Sequence, residues 1–215
     1  MPKKSKGWAK EPRRHALSAY GIPNKITKKK TAATQVTGKL FPQHVLEQIK
    51  EYNEIADGRE WIAEFDLVNG SILMNDFQFS DDVDASYLNW DGERDSIYNV
   101  GYIHYHPDNL VPMFTAQDFV LGCRLHNMRT EGSKEKLGYT LMGLVVKDRI
   151  ILIAVKPGEK RQKQFEDMID TDGSPDAVEK LRKIVGEMQN RGELLRFNDV
   201  GLDGSNMGKA GGLII

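Results

Sequence analysis

Apolar and polar positions follow two rhythms along this chain, and together they lay out most of its elements. Val45, Leu46, Ile49, Tyr52, Ile55 and Ala56 recur at helical spacing. They predict an amphipathic helix over 43–56, closed by Asp57-Gly58. Trp61, Ala63, Phe65 and Leu67 then alternate with Ile62, Glu64 and Asp66, the period of a strand. Asn69-Gly70 predicts a tight turn, with 71–79 as the returning strand. The polar, acidic stretch over 80–97 reads as a long loop. Asn99 to His106 predicts a strand, 107–114 a loop with two prolines, and 115–126 a short helix. Two apolar runs, 139–146 and 149–155, flank Lys147-Asp148 as a buried hairpin. Helices are expected over about 158–169 and 175–191. The second has Ser174 as N-cap, Pro175 at its first position and an apolar stripe of Val178, Leu181, Ile184, Val185 and Met188. This order predicts an α+β fold, one sheet flanked by helices in three layers.

Composition changes the picture at the two ends. Lys and Arg total 30 against 31 Asp and Glu. Yet residues 1–30 hold ten basic side chains and a single acid, Glu11, a formal +9. The other 185 residues carry 20 basic and 30 acidic groups, a formal −10. Residues 1–36 lack a sustained apolar period and read as a basic flexible arm. A folded domain is expected over 37–195, and a Gly-rich mobile tail over 196–215. Hydrophobic content of 40% supports a packed core. No apolar run approaches the roughly 20 residues of a transmembrane helix. The start of the chain also lacks the apolar segment of a secretory signal. A single cysteine, Cys123, excludes an internal disulfide and Cys-rich zinc modules. The expectation is a cytoplasmic protein with no membrane partner.

Candidate chemistry lies in the strand over 99–106. His104 and His106 stand at i and i+2, so both rings leave one face. Two imidazoles on one face are a common grip on a divalent metal, although the pair alone is a weak signal. Pro107 ends the strand, because it has no N–H for a ladder. Seven residues later, Thr115-Ala116-Gln117-Asp118 opens the next helix, where Asp118 can swing back toward the histidines. Three protein ligands leave the fourth tetrahedral position for water, the pattern of a catalytic zinc. Thr-x-x-Asp is also a capping box, with Thr115 as N-cap and Asp118 at N3. Asp118 is expected to serve only weakly as both cap and ligand. Of the other histidines, His15 lies in the arm, His44 opens a helix and His126 ends one. Cys123 reads as a buried helix residue, not a nucleophile.

His104-Tyr105-His106-Pro107, seven residues and then Thr115-x-x-Asp118 resembles the motif of the JAMM metalloproteases, with threonine where that family has serine. The resemblance covers roughly 40–155. It implies a JAB/MPN-like fold, related to the cytidine deaminase-like three-layer sheet. It also implies zinc-dependent hydrolysis of an amide or isopeptide bond in a protein or ubiquitin-like conjugate. His104, His106 and Asp118 would be the zinc ligands. An upstream glutamate would take the water's proton and pass it to the leaving amine, and the Thr115 hydroxyl would support the oxyanion. The family pattern of Glu, two residues and a small residue before a hydrophobic strand matches Glu60-Trp61-Ile62-Ala63. Glu64, on the same face about 13 Å along the strand, has Leu67 at the small position. Glu60 is the expected base, and Glu64 the alternative.

Other readings fit less well. His104-x-His106-x-Asp108 resembles metallo-β-lactamase-type hydrolases, but Asn109 stands where those need a histidine, and only His126 follows. PHP and amidohydrolase sites consume more histidines than the five present. A catalytically inactive MPN-like scaffold is an alternative of a different class. The basic arm, with Trp8 and Tyr20, offers a route to nucleic acid, less favoured than a solvated or partner-docking tail. Gly211-Gly212 resembles the end of a ubiquitin-like precursor, but a plain flexible tail is the simpler account.

Overall fold

The computed structural model describes residues 40–68, 71–75, 77–79, 99–108, 110–131, 138–158, 160–169 and 174–209. The arm over 1–36, the Asn69-Gly70 turn, the loop over 80–97 and Gly211-Gly212 lie outside the described residues.

Helix α1 (Gln43–Ala56) ends where its pattern predicts, with Asp57 at φ 50° and Gly58 at φ 79°. Glycine tolerates that left-handed backbone without a side-chain penalty. Strands β1 (Trp61–Val68), β2 (Ser71–Met74), β3 (Gln78–Phe79) and β4 (Asn99–His106) follow, then α2 (Ala116–Glu131). The hairpin of β5 (Thr140–Val146) and β6 (Arg149–Val155) leads to α3 (Arg161–Glu166) and α4 (Pro175–Arg191). Three short strands close the order: β7 (Leu194–Arg196), β8 (Asp199–Gly201) and β9 (Asn206–Gly208).

The strands form one mixed, curled sheet in the order β2-β1-β4-β5-β6-β8-β9, with β3 beside β1 and β7 beside β6. β4 and β5 run parallel, and α2 supplies the crossover that a parallel pair requires. Gly101 permits their close approach, since a Cβ there would lie 1.9 Å from Leu141 O. Strand alternation sends Trp61, Ala63, Phe65 and Ile103 to one face, against Val45, Leu46 and Ile49 of α1. Ile62, Tyr102, Met142 and Leu144 take the other face, against Phe119 of α2, Phe165 of α3 and Leu181 of α4. The sheet is therefore covered on both sides, which explains why β5 and β6 are apolar almost throughout. Each fully buried Leu or Ile contributes about 1.5–3 kcal/mol.

Several expectations are corrected. Helix α2 continues to Glu131, because after Gly122, which it absorbs in its interior, no Gly or Pro follows until Gly132. His126 is consequently interior to the helix and buried, with Nδ1 3.1 Å from Thr140 Oγ1. α3 is shorter than its pattern, at Arg161–Glu166. α4 starts with Ser174 Oγ accepting from Ala177 N–H at 3.2 Å, and its buried stripe begins at Ala177, with Val178 half-buried. Instead of a mobile tail from 196, β8 pairs with β6, β9 pairs with β8, and Asp199 and Val200 are buried. Glycines that suggested mobility serve the turn between them, where Gly204 adopts φ 87°.

Candidate metal centre

The C-terminal end of β4 and the first turn of α2 meet at a strand-to-helix junction, the place where α/β sheets commonly receive ligands. His104 and His106 leave β4 on the α2 face, and both are buried. One donor atom from each of His104, His106 and Asp118 lies within 4.8 Å of the others, so the three can together hold a metal ion. In the β1–β4 ladder Ile62 lies opposite His104, and this register carries Glu60, just before β1, toward His106. Glu60 Oε1 is 3.1 Å from His106 Nε2. Glu64 lies opposite Tyr102, further back along β4.

Asp118 divides its carboxylate between two tasks. Oδ2 accepts from Thr115 N–H at 2.7 Å and from the Thr115 hydroxyl at 3.0 Å, while Thr115 Oγ1 accepts from Asp118 N–H at 3.4 Å. The capping box is therefore formed. Oδ1 faces His104 Nε2 at 3.1 Å. Cap and ligand use different oxygens, which corrects the expectation that one role weakens the other. The Tyr102 hydroxyl donates to the main-chain oxygen of Asp118 at 2.8 Å and ties this turn to β4. Burial raises the Tyr102 pKa well above its ordinary value, so the group stays a neutral donor.

The two imidazoles differ in their partners. His106 Nδ1–H donates to Val111 O at 2.7 Å, which leaves the Nε2 lone pair for the cluster. His104 packs near the rings of Tyr102 and Phe114. Neither of its nitrogens has a hydrogen-bond partner among the described residues. Nε2 is close to Asp118 Oδ1 but off the line of a hydrogen bond. Arg161 Nη2 is also unpartnered, yet the other nitrogens of Arg161 bond Glu193, Gln164 and Glu187. Leaving a buried polar group unsatisfied costs roughly 1–3 kcal/mol, and a cation between His104 and Asp118 would remove that cost. Two ligands of one tetrahedral ion stand roughly 3.3 Å apart at ordinary zinc bond lengths, close to the separation seen for this pair.

Charge is set by neighbours as well as burial. Burial pushes the Asp118 carboxyl up, but His104, His106 and the Thr115 N–H overcome it and hold the pKa at about 2. Burial of His106 disfavours its charge, but the carboxylates of Glu60 and Asp118 and the Val111 carbonyl raise its pKa above 6.5. Cys123 is buried and its thiol is pushed up to about 12, chiefly by that burial. Val111 and Tyr102 were not signalled by the sequence. Val111 acts through a main-chain oxygen, and Tyr102 could have been found only as the residue two before His104 on the same face.

Comparison with protein-family models, with curated proteins and with solved structures finds no match for this chain.

Proposed function

We propose that this chain is a zinc-dependent hydrolase of the JAMM type, with a JAB/MPN-like fold, that cuts an amide or isopeptide bond of a protein or ubiquitin-like conjugate. The observation that carries the reading is the convergence of His104, His106 and Asp118 beside Glu60, with His104 otherwise unpartnered. Two imidazoles and one carboxylate suit zinc. Zinc bound there would polarise the scissile carbonyl and lower the pKa of water toward neutrality. The chain's own residues supply the rest. Val111 O holds His106 in the tautomer that offers Nε2. Thr115 aims Asp118, and Tyr102 anchors the turn that carries it. Glu60, with 13% of its side chain exposed, is open to a water at the cluster and can move that water's proton to the leaving amine. Before substrate arrives, the Thr115 hydroxyl is committed to Asp118, so its first role is to position a ligand.

The order of helix, strands, metal strand, helix and hairpin over roughly 40–155 supports the family reading. The formal −10 outside residues 1–30 favours a protein substrate with a basic face. Among the described residues no helix is long and apolar enough to cross a membrane, and a cytoplasmic site of action is part of the proposal. A panel of linear peptides and ubiquitin-like isopeptide conjugates, with and without 1,10-phenanthroline, tests it. Cleavage of a member is expected to vanish with the chelator and return with zinc. Glu60→Gln is expected to retain zinc while kcat falls by about 10²–10⁴-fold. No chelator-sensitive cleavage of any member would overturn the hydrolase reading.

A further inference from the structure

Between β4 and α2 the chain carries five consecutive apolar residues, Leu110-Val111-Pro112-Met113-Phe114. Only Phe114 is buried. Leu110 and Met113 are half-buried, and Val111 and Pro112 are exposed. Val111 is 53% exposed, more than any other large hydrophobic side chain described. Val111 and Pro112 thus form a small exposed apolar spot flanked by half-buried Leu110 and Met113. This run is also held in place. Leu110 N–H donates to Pro107 O at 2.9 Å, and Val111 O accepts from Met113 N–H at 2.8 Å and from His106 Nδ1–H at 2.7 Å. Val111 is therefore one hydrogen bond from a proposed zinc ligand, with its backbone fixed and its side chain in solvent. The cluster itself carries the carboxylates of Glu60 and Asp118.

The geometry points to Val111 as the specificity-determining contact for an apolar side chain next to the bond cleaved. This rests on the hydrolase reading above. A substrate whose carbonyl reaches the cluster must lay its neighbouring side chains over the residues that border it. An apolar side chain over Val111 removes both from water, and the gain scales with the area covered. Glycine leaves Val111 wet, and a charged side chain over Val111 would lose water with no polar partner on that side chain.

The test uses the full chain loaded with zinc and a pair of probes, N-acetyl-leucine hydroxamate and N-acetyl-glycine hydroxamate, with binding read by calorimetry. Wild type is expected to prefer the leucine probe by about tenfold, and Val111→Ser to prefer it by less than about twofold. The readout is the ratio of the two probe affinities within each zinc-loaded protein, so a change in zinc affinity on altering Val111, whose main-chain oxygen holds His106, cancels. Equal affinity of wild type for both probes, or a preference that survives Val111→Ser, would overturn the inference while leaving the zinc reading intact. A chain that takes up no zinc, and so binds neither probe, would overturn both.

Discussion

Two clusters of buried charged and polar side chains occupy different parts of this sheet, and they are built on opposite terms. Beneath β6 and β8, Asp199 is fully buried and accepts from Arg196 on Oδ1 and from Arg149 on Oδ2 at 3.4 Å. Arg196 Nη1 also donates to Phe197 O at 2.7 Å. Burial lowers the Arg196 pKa, and the Asp199 carboxylate opposes that fall. Protein groups answer one another there, and the result ties β8 to β6. At the end of β4, comparable burial leaves His104 with no hydrogen-bond partner on either nitrogen among the described residues, beside two further donors. A closed polar network fixes a fold, whereas one left open where donors converge is shaped for something from outside.

Exchanging the roles of the clusters is the strongest way to break this contrast. Asp199→Ala should cost about 3–5 kcal/mol in denaturant unfolding, since it strands buried arginine charge, and should leave zinc content unchanged. Loss of zinc without loss of stability would erase the distinction. The next effect is a pH dependence confined to the metal-free protein. With a folded pKa of about 2 against an ordinary 3.8, Asp118 contributes stability that is present above 3.8 and lost as pH falls through 2. EDTA-stripped wild type should exceed Asp118→Asn by about 2 kcal/mol near pH 5, with the gap narrowing below pH 4. A gap independent of pH would show that the imidazoles do not hold this carboxylate. The smallest effect concerns Thr115. Thr115→Ala should weaken zinc binding by about tenfold, while Thr115→Ser stays near wild type. Equal affinity in all three would show that the cap does not aim the ligand.

Much of this was readable in the residues, and the remainder was hidden for physical reasons. The 43–56 helix and the β5–β6 hairpin carry strong local periods and clear breakers, so their bounds fall where expected. His104, His106 and Asp118 were legible because a strand's two-residue period and a helix start fix their faces. What stayed hidden depends on distant pairing or on backbone atoms. β8 and β9 are three residues each and take their order from β6, so a Gly-rich composition misrepresented them. The Val111 carbonyl has no side-chain signature. The division of Asp118 into a capping and a facing oxygen is a matter of rotamer, which spacing does not encode.

Zinc titration of the metal-free full chain against a competing chelator, in wild type, His104→Ala and Asp199→Ala, tests the central claim most directly. One zinc per chain is expected in wild type and Asp199→Ala, and none in His104→Ala. Absence of zinc binding by wild type, or undiminished binding by His104→Ala, would contradict a metal centre at the end of β4.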